Sequence, residues 1–298
     1  MTDLDGPDVR LLDFGDAGRL ERFGARVVDR PPPGALGARR DAGAWLDADL
    51  RYDRDRGWSG PAAGLGEWTV TADGLPILLR PTDAGQCGLF PEHIEMLPWL
   101  RDRVAAQVAK GAVADPRSAP ARGAAPTAPT VLHLFAYTGL ATLAMAAAGA
   151  AVTHVDASRP TVSWARRNAE AAALADRPIR WIVDDVRAFT EREARRGRQY
   201  AGLVLDPPSY GHGAGGRSWR IETDLEPLLA RCRVILAPGA FVLLTAHTVD
   251  LGPDRLGSTL AGALHVTRSR IDTGDLGLTS VDGRRLELGA FARIAGAA

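Results

Sequence analysis

The chain predicts a doubly wound parallel α/β sheet preceded by a small β-rich module. Three observations carry that reading. Short apolar strands alternate with helix-length segments from about residue 130 onward. A stretch rich in Ala, Pro, Ser and Gly separates this half from what precedes it. Upstream, Asp73-Gly74 stands between two short β-type runs, Trp68–Thr71 and Leu75–Leu79.

Residues 1 to about 40 show little periodicity and contain Pro31-Pro32-Pro33-Gly34, so they read as an extended lead-in. Ile94, Leu97, Leu100, Val104 and Val108 then recur at helical spacing. The expected division is a module with a connecting helix over 1–110, a flexible linker over 111–129 and a catalytic domain over 130–298. Within the last, strands are expected at 131–136, 151–155, 179–183, 200–205 and 240–245. Helices are expected at 140–149, 160–174, 189–196 and 225–236. The tail reads as two more strands, 264–270 and 286–293.

With 298 residues the chain can bury a substantial core, and 46% hydrophobic with 24% charged residues suits a globular protein. Basic and acidic residues balance at 36 each, which argues against tight non-specific binding to a phosphate backbone, although a neutral total can hide a local patch. Lys110 is the only lysine, a usage that fits a GC-rich genome. Two cysteines, Cys87 and Cys232, cannot build a disulfide framework or a metal knuckle, and no metal site is expected. The acidic N-terminus lacks a signal-peptide core, and the Ala-rich run 140–152 is too short to span a bilayer. A cytoplasmic protein is expected.

Ligands of doubly wound sheets sit beyond the carboxyl ends of the strands. After the first strand comes Phe135-Ala136-Tyr137-Thr138-Gly139, where glycine permits close backbone approach. After the second comes Asp156-Ala157-Ser158; the acid can accept from a ribose diol or simply cap the next helix. After the third come Asp184-Asp185-Val186, again an adenine-amino acceptor or a cap. After the fourth comes Asp206-Pro207-Pro208-Ser209-Tyr210, more specific because two prolines stiffen the backbone while Tyr210 offers a planar surface. His247, after the fifth strand, can act as a general base or be a solvated polar residue. The Gly-rich stretch 211–217 can act as a lid, with Trp219 and Arg220 beside it to stack a base and meet a phosphate.

Together these segments resemble bacterial class I S-adenosylmethionine-dependent methyltransferases related to those that modify large-subunit ribosomal RNA. The resemblance rests on Leu134–Gly139, Val155–Ser158 with Trp164-Ala165 and Asn168-Ala169, and Asp206–Ser209. Gly88–His93 matches the segment such proteins place before the catalytic domain. It covers roughly residues 65–250 and implies a Rossmann-like class I methyltransferase sheet. S-adenosyl-L-methionine would be the cofactor, with its methionine part at Ala136–Gly139, its ribose on Asp156 and its adenine amino group on Asp185. The methyl acceptor would face Asp206–Tyr210.

His133 departs from the asparagine frequent in relatives, and no RNA-binding domain of the type some relatives carry is recognisable at the N-terminus. Carbon-5 methylation of cytosine needs a cysteine nucleophile, which the segment Thr245–Thr248 lacks. That leaves ring or exocyclic nitrogens, or hydroxyls, as acceptors, and with the resemblance the expected one is a nitrogen-bearing nucleobase of RNA, ribosomal RNA favoured. A small molecule or a protein side chain is the alternative, and the oligomeric state stays open. A dinucleotide-dependent oxidoreductase fits less well, because the first turn holds one glycine rather than Gly-x-Gly-x-x-Gly.

Overall fold

The computed structural model describes residues 8–31, 37–111, 128–212 and 218–297. Most of the expected lead-in prolines, of the linker and of the Gly-rich stretch lie outside these residues. Contacts divide the chain into two compact units, Met1–Glu95 with Leu276–Leu288, and Met96–Asp275 with Gly289–Ala298. The division thus falls between Glu95 and Met96, whereas the sequence suggested 111–129.

In the first unit, strands β1 (Val9–Gly15), β2 (Gly18–Phe23) and β3 (Arg26–Arg30) precede a short helix, α1 (Ala42–Leu46). Strands β4 (Leu50–Asp53) and β5 (Gly57–Ser59) complete a five-stranded sheet in sequential order. The extended lead-in is therefore corrected: three of these strands fall within residues 1–40. Their alternation is masked because charged residues occupy buried positions. Glu21 accepts from Arg30 Nε at 2.6 Å and Nη2 at 3.2 Å and lies 3.4 Å from Arg19 Nε, all three buried. Burial alone would raise the Glu21 carboxyl, but the two guanidiniums outweigh it and hold it below the usual range. The Asp-Gly hairpin forms as expected between β6 (Trp68–Ala72) and β7 (Leu75–Leu79), with Asp73 and Gly74 both at positive φ.

The second unit opens with α2 (Leu97–Ala109), preceded by a 3-10 turn from Pro91. The parallel strands are β8 (Thr130–Leu134), β9 (Ala151–Asp156), β10 (Ile179–Val183), β11 (Tyr200–Leu205) and β14 (Leu236–Ala246). They alternate with α3 (Leu140–Ala147), α4 (Arg159–Ala171), α5 (Val186–Arg195) and α6 (Ile221–Val234). A small hairpin, β12 (Tyr210–His212) with β13 (Ser218–Arg220), follows β11. The doubly wound reading holds: strand order is β10-β9-β8-β11-β14-β16-β15, reversing direction of travel between β8 and β11. Every residue of β11 is buried, as a central strand covered on both faces requires.

The tail departs from expectation. Residues Pro253–Leu264 form helix α7, with Leu256, Leu260 and Leu264 buried along one face and Pro253 at its start. The strand expected at 264–270 is instead the end of this helix, closed by His265 at positive φ, and a 3-10 turn over Arg268–Arg270. Strands β15 (Asp272–Thr279) and β16 (Arg285–Ala297) follow, β16 antiparallel to β14. Among the described residues no helix is long and apolar enough to cross a membrane.

Candidate active site

All the residues singled out at strand ends lie in the second unit, at the carboxyl edge of its sheet. The turn between β8 and α3 is tightly determined. Phe135 and Tyr137 adopt positive φ (53° and 48°), rare for side chains of this size. Such a conformation persists only where surroundings over-determine it, and they do. Ala136 N–H donates to the Val155 carbonyl at 3.1 Å, and Tyr137 N–H to Asp156 Oδ2 at 3.0 Å. Asn168 of α4 donates from Nδ2 to the Thr138 carbonyl at 2.9 Å. Gly139 has φ 91°, a left-handed conformation that favours glycine, and a Cβ there would sit 3.2 Å from Ala165 Cβ, a tight contact.

Asp156 therefore joins the first two strand ends: its other oxygen accepts from Ser158 N–H at 2.9 Å. Each oxygen keeps a lone pair, which suits a ribose diol. Burial raises this carboxyl, and the amides of Ser158 and Tyr137 offset part of that. Ser158 caps α4, accepting from Thr161 N–H, and Ala157 completes the turn.

After β10 the acids do structural work. Asp185 caps α5, accepting from the Arg187 and Ala188 amides, and pairs with the Arg187 guanidinium at 2.8 Å. Asp184 accepts from Asp185 N–H and pairs with Arg192. Val186 is the first residue of α5, a position where helix geometry leaves the amide without an intrahelical acceptor. Exposed Val183 ends the neighbouring strand opposite Asp156.

After β11, Asp206 receives the Thr245 hydroxyl at 2.6 Å and lies 3.4 Å from His247 Nε2, so the β11 and β14 ends meet at one carboxylate. Ser209 Oγ lies 2.7 Å from Thr248 Oγ1, and Ser209 O accepts from Ile221 N–H. Tyr210 is 54% exposed, available as a stacking surface. Trp219 corrects an expectation. It is only 3% exposed, packed edge-on against Phe135 with centroids 4.9 Å apart, and its Nε1 donates to the Pro208 carbonyl at 2.7 Å. It braces the turn after Pro207 and presents no free face to a base. Arg220 is exposed at the start of α6. Residues 213–217, including Arg217, lie outside the described part, and so does any lid they would form.

Some contacts escaped sequence reasoning. Thr245 and Thr248 act on Asp206 and Ser209 from 39 residues away, and Asn168, quoted above only as part of a motif, holds the Thr138 carbonyl from 30 residues away. His133, beneath the first turn, joins a buried chain: its Nδ1 lies 2.8 Å from Thr142 Oγ1, which lies 2.9 Å from His154 Nδ1. The hydroxyl has one hydrogen to donate and two lone pairs to accept with, so at least one of the two rings donates its Nδ1–H to Thr142. Both cysteines are buried. Burial pushes the Cys87 thiol up to about 11 and that of Cys232 up to about 12.

No family model matches the chain. Among curated proteins, the ribosomal RNA large subunit methyltransferase K/L of Methylococcus capsulatus is 35% identical over 118 residues, 39% of this chain. Its counterpart in Hahella chejuensis is 33% identical over 183 residues, 61% of this chain. The chain spans only 16% and 22% of the lengths of these relatives. Among solved structures, a Streptococcus mutans protein assigned as an S-adenosylmethionine-dependent methyltransferase superposes with a TM-score of 0.71, covering 97% of this chain and 76% of its own. At 14% identity it shares the fold. An S-adenosylmethionine-dependent methyltransferase from Agrobacterium tumefaciens superposes with a TM-score of 0.82 and 34% identity, over 96% of this chain and 90% of that one. That likeness, at 34% identity over nearly all of both chains, shows that this chain belongs to the S-adenosylmethionine-dependent methyltransferases and uses S-adenosylmethionine as its cofactor.

Proposed function

We propose that this methyltransferase acts on a nitrogen of an RNA nucleobase, ribosomal RNA favoured, in the cytoplasm and without a cysteine nucleophile. The observation that carries the reading is the pairing of Asp206 with His247 and Thr245 beside an exposed Tyr210. A flat surface next to a carboxylate fits a planar group bearing an amino hydrogen. The names of the K/L relatives add support for RNA, and specifically for ribosomal RNA.

In this reading the Phe135–Gly139 backbone holds the methionine part of the cofactor, Asp156 the ribose, and the Asp184-Asp185-Val186 segment the adenine. Bound S-adenosylmethionine supplies an electrophilic methyl group on sulfur. Asp206 accepts a hydrogen bond from the acceptor's N–H and holds its nitrogen lone pair towards that methyl group. Transfer would form the nitrogen–carbon bond as the sulfur–methyl bond breaks to leave S-adenosylhomocysteine, and the nitrogen's proton would pass to His247 or solvent. Pro207 and Pro208 keep the Asp206 carboxylate and carbonyl from drifting, and Trp219 locks the Pro208 carbonyl from behind. A buried thiol with a raised pKa is a poor nucleophile, which supports direct transfer to nitrogen.

The test supplies cofactor labelled in its methyl group to extract from a deletion strain, using the wild type and a Cys87→Ala/Cys232→Ala variant. Label in RNA with both proteins is expected. Label only in metabolites or protein would discard RNA, and loss of transfer by a folded, cofactor-binding double variant would restore a cysteine mechanism.

A further inference from the structure

The neutral charge of the whole chain conceals an uneven distribution. Residues 159–198 carry ten arginines against six carboxylates, a surplus of four, so the remainder is acidic by the same amount. The structure uses up four of those acids in ion pairs: Asp184 with Arg192, Asp185 with Arg187, Glu191 with Arg195, and Glu193 with Arg196 and Arg180. Glu170 and Asp176 are left on the surface. Arg159, Arg166 and Arg177 are exposed too, and among the described residues none of them has an ion-pair partner.

Their placement is linear. Arg159 begins α4, immediately after Ser158 on the cofactor rim. Arg166 lies seven residues on, two helical turns, and so on the same face, with Glu170 one turn beyond it. Arg177 follows the helix at the opposite edge of the sheet, beside Pro178. There, Arg180, Arg198, Gln199 and the buried Glu193 help to line a cavity of about 230 Å³, with Arg180 paired to Glu193. The stripe therefore runs the length of α4, about 20 Å at 1.5 Å per residue. It borders β10, the outermost strand of the sheet. Edge strands often carry charge to prevent pairing with other chains, which accounts for Arg180 but not for the surplus on α4 and beyond.

Resting on the reading of RNA as substrate, we propose that this arginine stripe binds the phosphodiester backbone of the RNA. Guanidinium groups bind phosphate oxygens in pairs and stay charged at any physiological pH. Three strand spacings, about 14 Å, separate β10 from β11 across the sheet. Arg159 lies at the same edge as Asp206 and is the end of the stripe nearest to it, so RNA docked along the stripe reaches the acceptor site from that end.

The test uses a fluorescent 24-nucleotide RNA hairpin, with anisotropy measured from 50 to 300 mM KCl for the wild type and for Arg166→Gln/Arg177→Gln. Calorimetry with S-adenosylhomocysteine controls for folding, and methyl transfer to protein-free large-subunit RNA is followed in parallel. The double variant is expected to bind cofactor normally and to bind the hairpin roughly tenfold more weakly at 150 mM salt. Its plot of log Kd against log salt should be shallower by about 1.5. If wild type and variant share one slope while both methylate RNA, the stripe is not the docking surface and the RNA reading stands. If the wild type neither binds the hairpin nor methylates RNA, the substrate reading fails and takes the stripe with it.

Discussion

The two units of this chain solve the problem of a stable interior in opposite ways. The first buries charge. Glu21 lies between Arg19 and Arg30, and Asp13 accepts from the Phe14, Arg40 and Asp41 amides, the Trp45 indole and Arg284. The second buries apolar strands, with Glu193 held among Tyr200, Arg180 and Arg196 as its one deeply buried acid among the described residues, and places Asp156, Asp184, Asp185 and Asp206 at its strand ends. A small sheet has too little apolar area to specify its register, and paired charges do so because any other pairing strands one of them. A large sheet covered by helices has area to spare, and the polar groups at its edge are available for chemistry. The difference teaches that a buried acid in the first unit is a fastener, whereas a part-buried one at the strand ends of the second is a candidate for function.

That contrast can be broken by experiment. The largest effect is expected from Glu21→Ala, which leaves two guanidiniums buried without their carboxylate. Stability measured by urea unfolding should fall by about 3–5 kcal/mol, while S-adenosylhomocysteine still binds to the protein that remains folded. A loss below about 1 kcal/mol would mean the buried charges are not what holds that sheet. Next is Asp206→Ala, expected to cut the methyl-transfer rate roughly a hundredfold or more with little change in stability or cofactor affinity. Normal turnover would remove Asp206 from the acceptor site.

Asp156→Ala should weaken cofactor binding by about 1.5–3 kcal/mol in calorimetry, since ribose acceptors and the anchor of the Tyr137 amide vanish together. Wild-type affinity would show that Asp156 serves only as a fastener after all, against the contrast drawn above.

The smallest effect concerns His154, one of the second unit's few interior titratable groups. Burial, then the neighbouring His133 and Arg166, hold its pKa well below 6.5. The unfolded chain therefore takes up a proton below pH 6.5 that the folded chain refuses. Stability attributable to the neutral ring is complete above pH 6.5 and declines as pH falls, by at most about 1.4 kcal/mol per unit. His154→Leu should flatten the wild-type dependence of Tm on pH between 6.5 and 5; equal slopes would exclude this histidine as the cause.

Much of the catalytic unit was legible in the residues because its signals are local. Continuous apolar runs marked β8 and β11, and each chemical segment followed its strand at once. Helix α7 was also marked, by Leu256, Leu260 and Leu264, but a run rich in Gly, Ser and Thr around them obscured the period. The first three strands were illegible for a different reason: period-two alternation counts Arg19, Glu21 and Arg30 as outward-facing, and the fold turns them inward as a neutralised set. Trp219 misled in the reverse sense, since an aromatic beside an arginine reads as a binding surface until its burial is known.

The sequence alone determined the doubly wound class and the candidate strand ends, because periodicity, glycine and proline act over a few residues, and the resemblance of its motifs to a known family implied the cofactor. Only the tertiary structure decided which carboxylates are occupied. Asp185 is taken by its own helix and Arg187, Asp156 by two amides, and Asp206 by Thr245 beside His247. Arg187 and Ser158 stand close in sequence, but Tyr137, Thr245 and His247 come from other turns and strands, up to 41 residues away between Asp206 and His247. A carboxylate's role depends on what surrounds it in space, and spacing along the chain does not encode that.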